Sequence, residues 1–220
     1  MSQKQEPGGE KETGRLESFS DGVFAVAITL LVVDLKIPLV DVKTASPSLG
    51  LALALLGQWP SYLTFVTSFA TILIMWVNHH TIFKLIQRTD THFLFVNGFL
   101  LLLVTSVPFP TALVAQYLTT PAAKTACAVY AGVFVLINMA YNALWWSASS
   151  HQRLLKASVS RVQVQKLTRN YALGFPLYLL AVLLAFWNAS VSLGICSVLW
   201  IFWMVTGYEK SPSMSNRSVQ

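Results

Sequence analysis

Six polar side chains lie inside or at the edge of long apolar runs in this sequence. A charged group at membrane depth costs about 2.5–3.5 kcal/mol on insertion scales, so each such group needs a partner or a function. Asp34 and its neighbour Lys36 are expected to be ordinary charges at the outer membrane interface. The other five residues need a closer explanation. The six residues are Asp21, Asp34, His79 and His80, with Asn78 and Asn97 as neutral partners.

Three of these residues are expected at one depth, near the cytoplasmic ends of three successive helices. Asp21, His79 and Asn97 can satisfy one another there and pin the helices together. Arg15 can add a salt bridge from just outside. We interpret the group as a structural clamp and leave open a proton relay through Asp21 and His79. A zinc site formed by His79 and His80 is disfavoured, because neighbours on a helix point about 100° apart.

The first apolar run carries a narrow stripe when it is drawn on a helical wheel. Small residues on and beside the stripe, Gly22, Ala25 and Thr29, allow copies of the helix to approach closely. Ser20 and Asp21 point away from it, towards neighbouring helices. Core or lipid contact is the ordinary interpretation of such a stripe; the small residues favour the axis of an oligomeric pore. The stripe comprises Phe19, Gly22, Val26, Leu30, Val33 and Ile37.

Composition predicts an all-α integral membrane protein. The chain has 220 residues, of which 55% are hydrophobic and 11% charged, with a mean hydropathy of +0.58. Soluble domains carry about 25% charged residues. Cys127 and Cys196 lie in apolar blocks and are expected as small core residues. No nucleotide loop, catalytic triad or HExxH motif is present, so we predict neither an enzyme nor a metal or cofactor site.

Apolar blocks predict a membrane domain over 15–208, between disordered cytoplasmic tails at 1–14 and 209–220. A short helix is expected over 49–57, capped by Ser48, and Pro108 and Pro110 should break the third span near its far end. Six spans place both termini on one side of the membrane. The spans are expected at about 17–37, 60–87, 92–115, 124–147, 171–187 and 191–208.

The distribution of basic residues orients these spans. Twelve of the fifteen Lys and Arg residues fall on the side of the two termini, and the opposite loops hold only Lys43 and Lys124. The positive-inside rule therefore places both termini in the cytoplasm. The linker 151–169 is basic and amphipathic, and we expect it to lie on the anionic inner leaflet. The net charge of +6 thus follows the topology and does not indicate a nucleic-acid partner.

A run of signature-like residues opens the first span and continues into the next two. Arg15-x-x-x-Phe19-Ser20-Asp21 is similar to the RxxxFSD signature of the transmembrane protein 175 potassium channels. The chain resembles that family over about 15–110, in matching order and spacing. The further matching residues are Ala25, Thr29, Trp76-x-x-His79-x-x-x-Phe83, Thr89-Asp90, Asn97 and Pro108.

The resemblance implies a cation channel that favours potassium and is gated by apolar side chains on its first helix. By position, the constriction would be formed by Val26, Leu30 and Val33, with Thr29 as a polar layer. Val26 stands where the family commonly has Ile or Leu, which implies a wider neck and weaker discrimination. The single signature and six spans resemble the prokaryotic, homotetrameric members. The implied helix clamp comprises Arg15, Phe19, Ser20, Asp21, Trp76, His79 and Asn97.

The same resemblance implies a multi-pass protein of the cell membrane, with potassium as the permeant ion and no cofactor. Val205-Thr206-Gly207-Tyr208 shares letters with the TVGYG potassium filter, but it ends the last span and has no re-entrant loop. Two alternatives stay open on the residues alone. One is a proton-coupled secondary transporter that uses Asp21 and His79, and the other is a non-conducting structural membrane protein.

Overall fold

The computed structural model describes residues 7–39, 46–150 and 154–208, and within them the fold is helical. One isolated antiparallel bridge, between Ile86 and Leu155, is the exception in this part of the chain. The helices are α1 (Pro7–Leu30), which continues as a 3-10 helix (Leu31–Asp34), then α2 (Pro47–Gly57), α3 (Trp59–Leu85), α4 (Thr91–Thr105), α5 (Pro108–Tyr117), α6 (Ala123–Ser149), α7 (Arg161–Trp187) and α8 (Ala189–Tyr208).

Five stretches among the described residues are long and apolar enough to cross a membrane, which confirms the all-helical membrane fold. A shorter apolar helix, Ala189–Val205, lies in the region of the expected sixth span, 191–208, and is not one of the five. The third stretch consists of two helices, α4 and α5, and not of one. The helix is interrupted just before Pro108, as the sequence predicts. The five stretches are Glu12–Val33, Trp59–Leu85, Thr91–Tyr117, Ala123–Ser149 and Arg161–Trp187.

Both ends of the first span differ from the prediction. The helix begins at Pro7, so residues 7–14 are helical where a disordered tail was expected. Proline at the first helical position needs no backbone donor, which suits it to this start. The α-helix ends at Leu30 and a 3-10 turn, Leu31–Asp34, follows it, so the helical structure ends earlier than the expected residue 37. The tail predicted at 209–220 lies outside the described residues.

The connection between the fourth and fifth spans is much shorter than the linker 151–169 that we expected. Residues from Arg161 onward already belong to α7, whose first turn is capped by the Ser160 hydroxyl. The remaining segment is tied to the end of α3 by two backbone bonds, Gln87 N–H to Leu154 O at 2.8 Å and Lys156 N–H to Leu85 O at 2.9 Å. Two cytoplasmic connections of the proposed topology are therefore joined.

Helix α6 lies at the centre of the subunit and packs against α4, α5, α7 and α8. Its side chains supply much of the buried core, in which Cys127 is a small apolar residue, as predicted. Gly174 in α7 lies close to both α6 and α8. A Cβ there would lie 2.2 Å from Asn138 Nδ2 and 2.5 Å from Trp203 Cζ2, so only glycine fits between α6 and α8.

The short helix α2 is apolar along its whole length and buries none of its residues. It starts at Pro47, one residue before the serine that was expected to cap it, and Ser46 makes no side-chain cap. Eleven residues of helix span only about 16 Å, roughly half of a hydrocarbon core. Helix α2 is thus an apolar segment that the subunit itself does not cover.

Candidate pore helix and its anchors

Helix α1 has two apolar faces, and only one of them is buried in the subunit. Ser20, Phe24, Ala27 and Leu31 recur at helical spacing and are almost fully buried. They pack against α3 and α4, and the 3-10 turn adds a contact with α5. This inner face holds α1 on the bundle, so the opposite face is positioned by helix geometry.

The opposite face carries the stripe that the helical wheel identified. Val26 is 54% exposed, Leu30 45% and Val33 74%. Gly22 is exposed too, and a Cβ added to it would meet nothing within 4 Å. Large apolar side chains on this face are therefore not part of the subunit core, and they must contact lipid or another protein chain.

The 3-10 turn aligns two of these side chains. In a 3-10 helix, residues three apart eclipse, whereas in an α-helix they are offset by about 60°. Because the tightening begins at Leu31, Val33 lies more directly above Leu30 than the α-helical wheel assumed. Ile37 lies beyond the helix and is exposed in irregular backbone, so its expected place on the stripe was wrong.

Thr29 lies beside the stripe and is exposed. Its Oγ1–H donates to the carbonyl of Val26 at 2.9 Å. A hydroxyl has one donor and two acceptor lone pairs, so this bond uses the donor and leaves the oxygen free to accept. The exposed face of α1 therefore offers an oxygen with acceptor character and no available proton.

A chain of buried hydrogen bonds anchors α1 to α3 and α4. Asn97 Nδ2–H donates to Ser20 Oγ at 3.0 Å, and Ser20 Oγ–H donates to the carbonyl of Leu16 at 2.9 Å. The Asn97 carbonyl oxygen is 2.8 Å from Nε2 of His79. Since the Asn97 amide nitrogen faces Ser20, its oxygen must accept, and Nε2 of His79 carries the proton. Helices α1, α3 and α4, which were expected to meet at one depth, are joined by these hydrogen bonds.

Asp21 belongs to a second contact and not to this chain. Its Oδ1 accepts from Trp76 Nε1–H at 2.8 Å, which joins α1 to α3. The direct pairing of Asp21 with His79 that we expected was wrong, because His79 turns towards Asn97. The sequence contained a signal for this bond. Trp76 lies one helical turn before His79, so both side chains lie on the same side of α3 and Trp76 can also reach α1.

The two remaining members of the predicted clamp are not brought into it. Arg15 is exposed, and no ion pair of Arg15 is found within the described residues. Phe19 is also exposed and lies on the outer stripe, as its place on the wheel indicates. The anchoring contacts seen here thus involve Ser20, Asp21, Trp76, His79 and Asn97.

Sequence reasoning missed a further contact between the same two helices. Glu17 Oε1 lies 2.6 Å from His80 Nδ1, and the Trp76 and His80 rings stack at 6.0 Å with an angle of 13°. The signal was available, because Glu17 and Asp21 are four residues apart and so are Trp76 and His80. When two such pairs lie on facing helices, each residue of one pair can contact one residue of the other, as Asp21 contacts Trp76 and Glu17 contacts His80.

The second ring nitrogen of His79 is enclosed by apolar and aromatic side chains. Nδ1 is buried and has no hydrogen-bond partner among the described residues. The ring is packed between aromatic side chains, with centroids 5.2 Å from Phe24 and 4.4 Å from Phe83. This arrangement favours a structural imidazole over a relay between Asp21 and His79.

Comparisons with known proteins agree on one family. The family model described as endosomal/lysosomal potassium channel TMEM175 matches residues 15–108. A potassium channel of Chamaesiphon minutus is 51% identical over 88% of this chain and 94% of its own length. A potassium channel of Streptomyces collinus is 42% identical over 91% of this chain and 94% of its own length.

A solved structure extends the likeness to three dimensions. The crystal structure of a lysosomal potassium-selective channel TMEM175 homolog from Chamaesiphon minutus superposes with a TM-score of 0.80 at 49% identity. The match covers 90% of this chain and 98% of that one, so it includes the last three spans, for which the sequence resemblance was weakest. The chain therefore belongs to the TMEM175 family and groups with its bacterial members.

Proposed function

We propose that this chain is one subunit of a homotetrameric, weakly discriminating potassium channel whose pore is lined by α1. The observation that carries the proposal is the pair of apolar faces on α1. One face anchors the helix in its subunit, and the other presents Val26, Leu30 and Val33 outward. Relatives named as potassium channels align with nearly the whole chain, which supports the same conclusion.

The mechanism follows from four stripes meeting at one axis. Rings of Val26, Leu30 and Val33 leave a narrow apolar neck, which dewets and blocks ions when it is tight. Slight dilation admits partly dehydrated potassium. The Thr29 oxygen then serves as a substitute ligand, and its free lone pairs suit a cation. Valine at position 26 is smaller than the isoleucine or leucine that the family commonly has there, so this ring is wider than in such relatives and discriminates less.

The topology of the proposal has six spans with both termini in the cytoplasm of a cell-membrane protein. The basic bias of the connections supports this orientation. Residues 15–208 form the channel domain. Exposed Lys156, Arg161, Lys166 and Arg169 would lie near the anionic inner leaflet, which each basic residue favours by about 1 kcal/mol.

Replacement of Leu30 by alanine tests the neck. We expect Leu30→Ala to raise potassium leak about tenfold or more in liposome flux assays, because a ring of four isobutyl groups is lost. Thr29→Ala should keep the flux and lower the preference for potassium over sodium. Leu183→Ala is the matched control, since Leu183 is an exposed leucine on a different span, α7.

Unchanged conductance and selectivity in the Leu30 and Thr29 variants, with wild-type reconstitution, would reject the assignment of α1 to the pore. A proton-coupled transporter predicts saturable uptake driven by a pH gradient. The geometry does not favour that function, because Asp21 and His79 bond different partners. Potassium current through purified protein in a planar bilayer, without a proton gradient, separates the channel from both the transporter and a non-conducting protein.

A further inference from the structure

We propose that a cavity enclosed by α3, α6, α7 and α8 binds small uncharged apolar molecules, and that an occupant restrains the helix that anchors α1. The effect on conduction rests on the function proposed above, since it needs α1 to line the pore. The cavity has a volume of about 40 Å³. All but one of its lining residues are buried, so it belongs to the interior of a single subunit.

The walls of the cavity are mostly aromatic and aliphatic carbon. The rings of Phe134 and Tyr178 stack with centroids 5.8 Å apart, and those of Tyr171 and Trp203 stack at 6.0 Å. Among the described residues that line the cavity there is no Asp, Glu, Lys, Arg or His. Such walls suit an uncharged ligand, which gains dispersion contacts with the rings, better than an ion.

Polar side chains at the cavity already bond to other groups of the subunit. Thr71 Oγ1–H donates to the carbonyl four residues earlier at 2.7 Å, and Tyr141 O–H donates to the carbonyl of Met75 at 2.7 Å. Asn138 Oδ1 accepts from Asn142 Nδ2–H at 3.1 Å. A buried water needs about two to four polar partners, and these bonds compete for them. The cavity therefore favours an apolar occupant over water.

The volume limits the size of the ligand. One water needs about 10–15 Å³, so this cavity has room for about three waters or for an apolar group of a few heavy atoms. Benzene fits a dry cavity of about 150 Å³ in another protein and is too large here, whereas xenon is a compact apolar probe for such sites. Small apolar molecules dissolve in the bilayer and can enter through local opening of the packing.

The cavity lies behind the anchor of α1. Met75 and Asn78 line it from one face of α3. Trp76, whose indole bonds to Asp21 of α1, projects from the other side of the same helix, together with His80. This turn of α3 therefore has α1 on one side and an unfilled space on the other.

This position gives an occupant a way to act on the neck. The inner face of α1 packs against α3 and α4, so dilation of the neck moves α1 towards these helices. Helix α3 can yield into an unfilled space, because a void lacks the contacts that would resist the movement. An occupant restores those contacts. A filled cavity should therefore disfavour the dilated neck and lower the potassium flux.

Xenon occupancy tests the site without relying on conduction. In crystals of the full-length protein under xenon pressure, we expect an anomalous difference peak in the cavity, in contact with Phe134 and Tyr178. Ile137→Phe, which extends a lining residue of α6 into the space, should lose this peak. Leu136→Phe is the matched control, since Leu136 is the next residue on the same helix, is exposed on the subunit and does not line the cavity. It should keep the peak.

Potassium flux tests the restraint on α3. In liposomes with equal amounts of protein, Ile137→Phe should pass about threefold less potassium than wild type, because the phenyl group takes the place of an occupant. Leu136→Phe should pass as much as wild type. A melting temperature of Ile137→Phe at or above that of wild type shows that the ring fills space and does not overpack the core.

If Ile137→Phe melts lower or fails to fold, Ile74→Phe fills the cavity from α3, and Leu73→Phe is its exposed control on that helix. The inference is overturned by a wild-type cavity that holds no xenon or holds ordered waters instead, by a peak that persists in the filled variant, or by a filled variant with undiminished flux. If wild-type liposomes pass no potassium, the proposed function fails, and the xenon peak still decides whether the site exists.

Discussion

At the scale of single residues, the anchors of α1 depend on which polar groups have no alternative partner. The hydroxyls of Ser18 and Ser20 both donate to the backbone carbonyl four residues earlier. Only Ser20 is buried, and only its oxygen also accepts from Asn97. A buried donor that loses its acceptor costs about 1–3 kcal/mol, whereas an exposed one is rescued by solvent.

Alanine at these two serines should therefore have different effects. We expect Ser20→Ala to lower the stability of the purified protein by about 1–2 kcal/mol, because the Asn97 amide is left unsatisfied in an apolar setting. Ser18→Ala should change it by less than about 0.5 kcal/mol. Thermal unfolding in detergent, followed by circular dichroism, measures both. Equal loss in the two variants would show that the Asn97 bond contributes nothing.

The sequence predicted residue types at this level better than it predicted pairings. Asp21, His79 and Asn97 were expected to meet because each is too polar for its apolar surroundings, and of these His79 and Asn97 do. Ser20, which the family resemblance implied for the clamp, bonds Asn97 as well. The sequence did not identify Trp76 as the partner of Asp21. A carboxylate can accept a hydrogen bond from an indole as well as from an imidazole, and the rotation of the helices about their axes decides which of the two it meets. Glu17 was overlooked because a charge near a helix end ordinarily needs no partner.

At the scale of helices, α7 packs closely against both α6 and α8 at Gly174. Helix α7 contains Pro176, which cannot donate to the preceding turn, yet the helix continues through it. One helical turn earlier, two amide side chains of α6 reach this helix, since Asn142 and Asn138 donate to the carbonyl of Tyr171 at 3.0 and 3.4 Å. Gly174 allows this close approach.

A methyl group at Gly174 should disrupt that approach. We expect Gly174→Ala to destabilise the protein by about 1–3 kcal/mol, because the added carbon overlaps Asn138 and Trp203. Gly132→Ala is the control: an added Cβ at Gly132 meets nothing within 4 Å. Alanine is also the better helix former there. Detergent-solubilised yield and melting temperature compare the two, and a stable Gly174→Ala protein would mean that α6 and α8 can move apart.

Helix boundaries followed the sequence where proline or a polar turn sets them. The break before Pro108 and the start of α3 at Trp59 were predicted to within a residue. The start of α1 at Pro7 and of α7 at Arg161 were missed, because both first turns are polar and a hydropathy pattern ends where the membrane does. Continuation of a helix into water depends on capping, as at Ser160, and not on hydropathy.

At the scale of the whole molecule, the proposed assembly must cover what one subunit leaves exposed. The α1 stripe and the leucines of α2 are both apolar and both uncovered. In the proposed homotetramer, further copies of the chain would cover the stripe. Symmetry predicts that equivalent residues of neighbouring α1 helices lie close together around the axis.

Cysteine cross-linking tests this geometry directly. We expect Val26→Cys to form inter-subunit disulfides on mild oxidation in membranes, because copies of this residue converge. Leu183→Cys on α7 should not. The native cysteines, Cys127 and Cys196, are buried and should not contribute. Separation on non-reducing gels gives the result, and cross-linking of the α7 variant alone would place the axis elsewhere.

The hydrogen bond between Thr29 and the carbonyl of Val26 has a consequence for which ions are rejected. With its only proton committed to the backbone, each hydroxyl presents the negative end of its dipole to whatever passes. A ring of such dipoles should repel chloride without any acidic residue in the conduit. Because a dipole held by a helix is not a titratable group, we expect anion rejection to be insensitive to bulk pH.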